Sequence, residues 1–269
     1  MNDTRPSAIN PGQTQIVRAG KIRWVVRHGI ANVHNILADP DRFLCDPSLL
    51  VSDSPLITMA RIPASAAHAP DLLLRRLNYG RPRHRWRDVF RLTRAERAFW
   101  HGLQLEEAGI HTPRTLAAGV ERFLRWPRRA YLLSEWLSGA TSLEDWLKRH
   151  HGLPREQVYQ LADLLARLHD QGFSHRDLKA SNVLFDPRLQ PWLIDLDGVR
   201  RFEQLSESRA MLDLSRLGWE FVRYPKCFQW NGPRFLKRYC RRRGLQHSLV
   251  RLKILEPILQ RLRAGLTRW

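Results

Sequence analysis

Cysteine is scarce in this chain: Cys45, Cys227 and Cys240 are the only three among 269 residues. They lie too far apart for a disulfide framework or a zinc site, and such sparse thiols suit a reducing compartment. No apolar run approaches the ~18 residues that a membrane-spanning helix needs. The start, Met1–Gln15, has no apolar core and does not read as a secretory signal. These absences predict a soluble or peripheral protein of the cytoplasm. Acidic residues are also short, 26 against 45 Lys and Arg, for a formal net charge of +19. That charge predicts polyanionic partners: an anionic membrane face, a phosphorylated glycolipid or nucleic acid. No motif specific to nucleic acid accompanies it. Internal repeats and long low-complexity tracts are missing as well. The hydrophobic content of 43% is ordinary, and the length allows one large domain or two small lobes.

What is present concentrates in Ser174–Asp197, which reads S-H-R-D-L-K-A-S-N-V-L-F-D-P-R-L-Q-P-W-L-I-D-L-D. Lys179 follows Asp177 by two residues and Asn182 follows it by five. Asp195 follows Asp177 by eighteen and closes the apolar run Trp192-Leu193-Ile194. The arrangement is that of a phosphoryl-transfer loop, H-R-D-x-x-x-x-N, followed by an aspartate on the next hairpin. Phosphoryl transfer leaves the protein little covalent work, so positioning and charge stabilisation dominate. Asp177 would orient the attacking hydroxyl or accept its proton. Magnesium ions bridging nucleotide phosphates take oxygen ligands, which Asn182 and Asp195 would supply from two arms of a hairpin. Lys179 would offset charge on the transferring group. His175 and Arg176 read as scaffold.

Residues 1 to about 20 read as a flexible tail. Ile22–Val26, Leu49–Val51 and Leu56–Met59 read as strands of a small antiparallel sheet, separated by the turn formers Asp39-Pro40 and Asp46-Pro47. Asp71–Arg76 reads as another strand. A basic run with interleaved aromatics, Arg81–Arg91, leads into a helix over about Arg94–Ala108 that Gly109 ends. Ala130–Gly139 reads as a strand running into a hinge, and Leu143 opens a helix. Arg155–Asp170 carries Val158, Leu161, Leu164, Leu165 and Leu168 at helical spacing, a stripe that belongs in a core. A further helix opens near Met211. Phe221–Trp269 holds thirteen Lys or Arg against one acid, Glu256. Its leucines and arginines recur at near-helical spacing over Leu245–Leu266. The basic face of that segment is either solvated or rests on anionic headgroups.

On these motifs the chain resembles the kinase superfamily, and within it the lipopolysaccharide core kinases of the Kdo/WaaP type. The family strand apolar-apolar-Lys-Arg-x-Asn is matched by Leu73-Leu74-Arg75-Arg76-Leu77-Asn78, with Arg75 where the nucleotide-contacting lysine stands. Arginine keeps the charge but has a larger, planar head, so the exchange is not conservative. Ile110-His111-Thr112-Pro113 resembles the family's Gly-Ile-x-x-Pro corner. The resemblance implies an α+β, two-lobed protein-kinase-like fold. A flexible tail over 1–20 would precede an N-terminal lobe over 21–136, a small antiparallel sheet with one helix. A larger, mainly helical lobe would follow over 137–269, with ATP and Mg2+ in the cleft. Glu96 would pair with Arg75 at the nucleotide phosphates, backbone groups of Glu135, Trp136 and Leu137 would meet the adenine edge, and Asp213 would brace the catalytic-loop backbone.

Three features depart from the commonest kinases. Ser52-Asp53-Ser54-Pro55 lacks the glycines of a phosphate-covering flap. Asp197 stands where glycine is usual, with a metal contact, a hairpin-stabilising role or a solvated position as the alternatives. Only seventeen residues separate Asp195 from Asp213, too few for a folded activation loop, and no Ala-Pro-Glu follows. The last point favours a non-protein acceptor. The family implies ATP-dependent phosphorylation of a Kdo or heptose hydroxyl in the lipopolysaccharide inner core, at the inner face of the cytoplasmic membrane. Competing readings are a protein kinase, an aminoglycoside-type small-molecule kinase, and a basic pseudokinase that binds nucleotide or anionic membrane without turnover.

Overall fold

A computed structural model describes residues 13–30, 33–64, 69–79, 88–89, 91–150, 152–222, 225–248, 250–251 and 253–254. Most of the basic run Arg81–Arg91 and of the segment Leu245–Leu266 lies outside the described residues. The chain divides into two units, Met1–Glu106 with Pro113–Ser138, and Glu107–Thr112 with Gly139–Trp269.

The first unit is built on one antiparallel seven-stranded sheet. Its strands are β1 (Thr14–Ala19), β2 (Ile22–Arg27), β3 (Leu50–Asp53), β4 (Ile57–Ile62), β5 (Leu72–Asn78), β6 (Thr115–Phe123) and β7 (Trp126–Glu135). They lie in the order β1-β2-β6-β7-β5-β4-β3. Residues 14–19, read from sequence as tail, form the edge strand instead: Ala19 pairs with Ile22 across a two-residue turn opened by Gly20 at φ 56°. Ile16 is 62% exposed, so the apolar-inside signal that marks a strand is missing there.

Asp39-Pro40 marks a helix start rather than a turn between strands. Helix α1 (His34–Ala38) ends at Asp39, whose carboxylate caps α2 (Pro40–Leu44) by accepting from Arg42 N at 3.2 Å, with Pro40 in the first turn. An Asp-Pro pair serves both uses, because proline suits the first helical position as well as a turn. These two helices cover one face of the sheet, where Trp24, Ile36, Leu37, Leu44, Leu74, Tyr131 and Leu133 form a buried core. Trp24 is fully buried, its Nε1 donates to Leu37 O at 3.1 Å, and Gly119 leaves room for its ring. Asp41 of α2 accepts from Arg76, Arg129 and Tyr131, so a single carboxylate fixes α2 to β5 and β7. Helix α3 (Arg94–Glu107) completes the unit, with Ala95, Ala98, Phe99, Leu103 and Leu105 buried.

The second unit is mainly helical: α4 (Leu143–Arg149), α5 (Arg155–Asp170), α6 (Glu207–Val222) and α7 (Pro225–Arg243). The leucine stripe of α5 is buried as its periodicity predicts. Short strands complete the unit: β8 (Thr141–Ser142), β9 (Phe173–Ser174), β10 (Val183–Phe185), β11 (Pro191–Leu193) and β12 (Arg200–Arg201). They form a three-stranded sheet β11-β10-β8 and a two-stranded pair β12-β9. Residues 107–112 belong here because Leu193 N donates to His111 O at 2.9 Å and Arg167 donates to Gly109 O at 3.0 Å. Among the described residues no helix is long and apolar enough to cross a membrane.

Candidate active site

The H-R-D segment follows β9 and is suspended from one buried carboxylate. Asp213 of α6 is fully buried. Its Oδ2 accepts from Ser174 Oγ at 2.8 Å and His175 N at 2.7 Å, and its Oδ1 accepts from Arg176 N at 2.9 Å and from the Arg216 guanidinium at 2.9 Å. Burial alone would raise the Asp213 pKa. The His169 ring, the Ser174 hydroxyl and the Arg176 N–H outweigh it and hold the carboxyl below the ordinary range. These bonds over-determine the backbone at Arg176, which sits at φ 66°, an uncommon conformation for a residue with a Cβ.

Asp177 is carried out from this anchor, about half exposed, with Lys179 Nζ 3.2 Å from its Oδ2. Asn182 ends a short 3-10 turn over Ala180–Asn182 and is buried. Its amide nitrogen donates to the Asp177 carbonyl at 2.8 Å and to Asp177 Oδ2 at 3.3 Å. That use of the nitrogen turns Oδ1, an acceptor, away from Asp177. The backbone of Asn182 ties the two hairpin arms, because Ile194 N donates to Asn182 O at 3.0 Å just past the Val183–Leu193 pair of β10 and β11. Asp195 is the next residue, at φ 63°, opening a 3-10 turn over Leu196–Gly198 that includes Asp197. His175 secures the same arm: Nε2 stands 3.0 Å from Ile194 O, which can only accept, so the ring hydrogen is on Nε2. Burial pushes the His175 pKa down, and the ring stays neutral.

Asp177, Lys179, Asn182 and Asp195 are thus gathered on one loop and hairpin of the second unit. Among the described residues no three His, Cys, Asp or Glu side chains cluster as a metal cage. A magnesium ion does not require one. It is commonly held by one or two protein oxygens together with substrate phosphates and water. The Asn182 Oδ1 and the Asp195 carboxylate fit that donor set.

The expected nucleotide residues belong to the first unit. Arg75 on β5 faces Leu132 of β7 and Met59 of β4, in a row that continues through Ala118 and Val25. Strand alternation puts this row on the opposite face from Trp24 and Tyr131. Glu96 is buried near the start of α3 and lies 3.7 Å from Arg23 and 3.8 Å from Arg122, which share that face. Glu96 also closes a capping box: its Oε2 accepts from Thr93 N at 2.8 Å, while Thr93 Oγ1 accepts from Glu96 N at 3.2 Å. At the end of β7, Glu135 N donates to Arg114 O and Trp136 N to Asp71 O. Leu137 is the first residue there whose N–H donates to no described residue. Burial raises the Glu135 pKa, with Arg114 opposing.

Sequence reasoning missed His169 and Tyr239. His169 is almost fully buried, its Nδ1 is 2.6 Å from Tyr239 Oη, and its Nε2 faces Asp213 Oδ2 at 3.6 Å. The available signal was a polar residue on the apolar stripe of α5, two turns beyond Leu161.

The fold and the loop have counterparts among known proteins. A curated 3-deoxy-D-manno-octulosonic acid kinase of Vibrio vulnificus (strain CMCP6) is 30% identical over 155 residues, covering 56% of this chain and 64% of that protein. The corresponding kinase of Stenotrophomonas maltophilia (strain R551-3) is 40% identical over 114 residues, covering 42% of this chain and 43% of that protein. The aligned part therefore spans less than two thirds of either relative. A solved structure titled "WaaP in complex with acyl carrier protein" superposes with a TM-score of 0.54 at 18% identity, covering 78% of this chain and 87% of that one. That likeness establishes the fold. The family model of the lipopolysaccharide kinases (Kdo/WaaP) matches residues 77–239, more than half of the chain and the whole of the Asp213-anchored loop, and the chain belongs to that family.

Proposed function

We propose that this protein is an ATP-dependent kinase that phosphorylates a sugar hydroxyl, on Kdo or heptose, in the inner core of lipopolysaccharide. The observation that carries the reading is the pair of hydrogen bonds from the Asn182 amide to the carbonyl and carboxylate of Asp177. They aim Asp177 outward as an acceptor while leaving Asn182 Oδ1 for a cation. Asp177 would orient the attacking hydroxyl and take its proton as that oxygen bonds the γ-phosphorus of ATP, while the bond from the γ-phosphorus to the bridging oxygen breaks and ADP leaves. Lys179, beside Asp177, balances charge at the transferring group. Asn182 Oδ1 and the Asp195 carboxylate would hold the nucleotide-bound Mg2+, which would neutralise phosphate charge.

Arg75 is our candidate for the nucleotide phosphates and Glu96 for the carboxylate that orders it. The Leu137 N–H, flanked by Glu135 and Trp136, is our candidate for the adenine edge. The names of the relatives support the acceptor class, and the net charge of +19 suits an anionic amphiphile at the inner face of the cytoplasmic membrane. The test is phosphate incorporation from labelled ATP with Mg2+ into a panel of Kdo-lipid A, heptosylated core, an aminoglycoside and a basic protein. Label should enter a lipopolysaccharide core acceptor, and Asp177→Ala and Asp195→Ala should each abolish it. Label in the basic protein or the aminoglycoside alone would overturn the acceptor reading.

A further inference from the structure

Arg176 belongs to the catalytic motif but is left without a task by the reading above. In the structure it is one of four arginines around a single loop. Arg200 lies on β12, where it pairs with Ser174 of β9, two residues before Arg176. Arg209 and Arg216 flank Asp213 on α6 at spacings of four and three residues, which places all three on one helix face. Asp213 Oδ1 accepts both from the Arg216 guanidinium and from the Arg176 N–H, so Arg216 is held directly against the loop. The Arg209 guanidinium is steadied over the Phe202 ring, 4.5 Å from its centroid.

Among the described residues counter-charge is short. The guanidiniums of Arg176, Arg200 and Arg209 make no ion pair with a carboxylate among the described residues. The carboxylate between Arg209 and Arg216, Asp213, is fully buried and already engaged by the loop backbone, Ser174 and Arg216. The nearby Glu207 is taken by Lys253 at 2.8 Å. Elsewhere in the same unit arginines are matched, Arg238 with Asp163 and Arg243 with Asp170. The Arg176 pKa is pushed down, first by burial and then by the charges of Arg200 and Arg216, with Arg209 adding to them and Asp213 opposing. Like charges gathered without a partner cost free energy that a bound anion returns. The fork of a guanidinium matches paired oxygens of a phosphate or carboxylate.

We infer that Arg176, Arg200, Arg209 and Arg216 form an anion site that seats an oxyanion of the acceptor, a phosphomonoester or a carboxylate, next to Asp177. Among the described residues no acidic side chain supplies that anion to Arg176, Arg200 or Arg209, and the seventeen residues between Asp195 and Asp213 are too few for a phosphorylated loop to fold back onto Arg176. Arg176 directly precedes Asp177 in the loop, so an anion held there restricts where the acceptor hydroxyl can lie. The inference rests on the kinase reading of this loop, and its test separates the two.

The test compares wild type with the double variant Arg200→Gln/Arg209→Gln, whose side chains are exposed and outside the transfer chemistry. With Kdo-lipid A as acceptor, KM should rise about tenfold, as expected for losing charge-assisted bonds to an oxyanion. The kcat and the KM for ATP should stay within about twofold. A dephosphorylated Kdo-lipid A identifies the source. A KM rise confined to the phosphorylated acceptor assigns a phosphate, and an equal rise with both assigns the carboxylate. Unchanged KM with both overturns the site. A second arm needs no turnover: the rise in melting temperature caused by inorganic phosphate, against chloride at equal ionic strength and with ADP and Mg2+ present throughout. The double variant should lose that rise. Persistence of the full rise overturns the site even if no acceptor is ever phosphorylated, and its loss supports the site in that same case.

Discussion

Tyr239 Oη and His169 Nδ1 lie 2.6 Å apart across seventy residues of sequence, and through this contact α7 reaches the network that holds the H-R-D loop. The direction of each hydrogen follows from what each group can offer. Arg243 donates to the Tyr239 oxygen at 2.9 Å, so the phenol hydrogen goes to His169 Nδ1. The ring hydrogen is then on Nε2, which faces Asp213 Oδ2 at 3.6 Å, long for a hydrogen bond. Donation runs from a guanidinium towards the carboxylate from which Ser174, His175 and Arg176 hang.

Tyr239→Phe removes the phenol from this chain and leaves the His169 Nδ1 lone pair buried without a donor. The variant should lose about 1–3 kcal/mol of unfolding free energy, the usual cost of a stranded buried polar group. Urea unfolding with an unchanged m-value is the measurement. A loss below about 0.5 kcal/mol would show that the phenol's hydrogen bond contributes nothing net.

Stability should fall as pH drops through the range of free histidine. Burial depresses the pKa of both His169 and His175. Above about pH 6.5 neither form of the protein holds these protons, and the full stability is present. Below it the unfolded chain binds protons that the folded chain refuses, so the unfolded state gains. Each of the two histidines can contribute a slope approaching ~1.4 kcal/mol per pH unit in that window. Asp213, whose pKa is depressed, adds a further loss only once pH falls below about 4. Unfolding free energies between pH 5 and 8 test this, with a decline below pH 6.5 expected and a flat profile counting against neutral burial.

How much of this was legible in the sequence depended on whether chemistry or long-range packing fixed it. Asp177, Lys179, Asn182 and Asp195 stood out because one short loop and hairpin must hold them at fixed spacing. The bounds of α5 were readable from its stripe and from Gly172, whose φ of 80° stops the helix cleanly. The first unit was harder. β1 has no buried apolar alternation. The β6–β7 hairpin turns on Leu124 and Arg125, both at positive φ, where glycine or asparagine would have announced it. The Asp213 network was half visible: the aspartate fits a motif, but nothing local connects His169 to Tyr239.

A single substitution separates the capping-box duty of Glu96 from the nucleotide-site duty proposed for it. As a capping-box residue it needs only an oxygen acceptor, which glutamine also offers. As the anchor of a phosphate-binding arginine it needs its charge. Glu96→Gln should therefore cost less than about 1 kcal/mol of stability, given that its ion pairs with Arg23 and Arg122 are long. Phosphate transfer should fall at least about tenfold, mainly through a raised KM for ATP. Normal transfer by a stable Glu96→Gln protein would remove Glu96 from the nucleotide site.

Asn182→Asp probes the contact on which the functional reading turns. The substitution keeps an oxygen for the cation and even adds charge, so affinity for Mg2+ with ADP should hold or rise. It also replaces the amide donor with an acceptor 3.3 Å from Asp177 Oδ2. Two carboxylates at that distance do not both ionise easily, and the pKa of one must rise. With its donor lost and its charge opposed, Asp177 should take the acceptor proton less efficiently if it is the base proposed above. The kcat should drop about 100-fold, within the range that positioned acid–base groups supply. The acidic limb of the pH–rate profile should move to higher pH, since the active form now requires ionising a pair. Nucleotide binding by calorimetry and a pH series of initial rates measure the two halves independently. Tight metal–nucleotide binding with wild-type kcat would mean that the Asn182 amide does not position Asp177 for transfer.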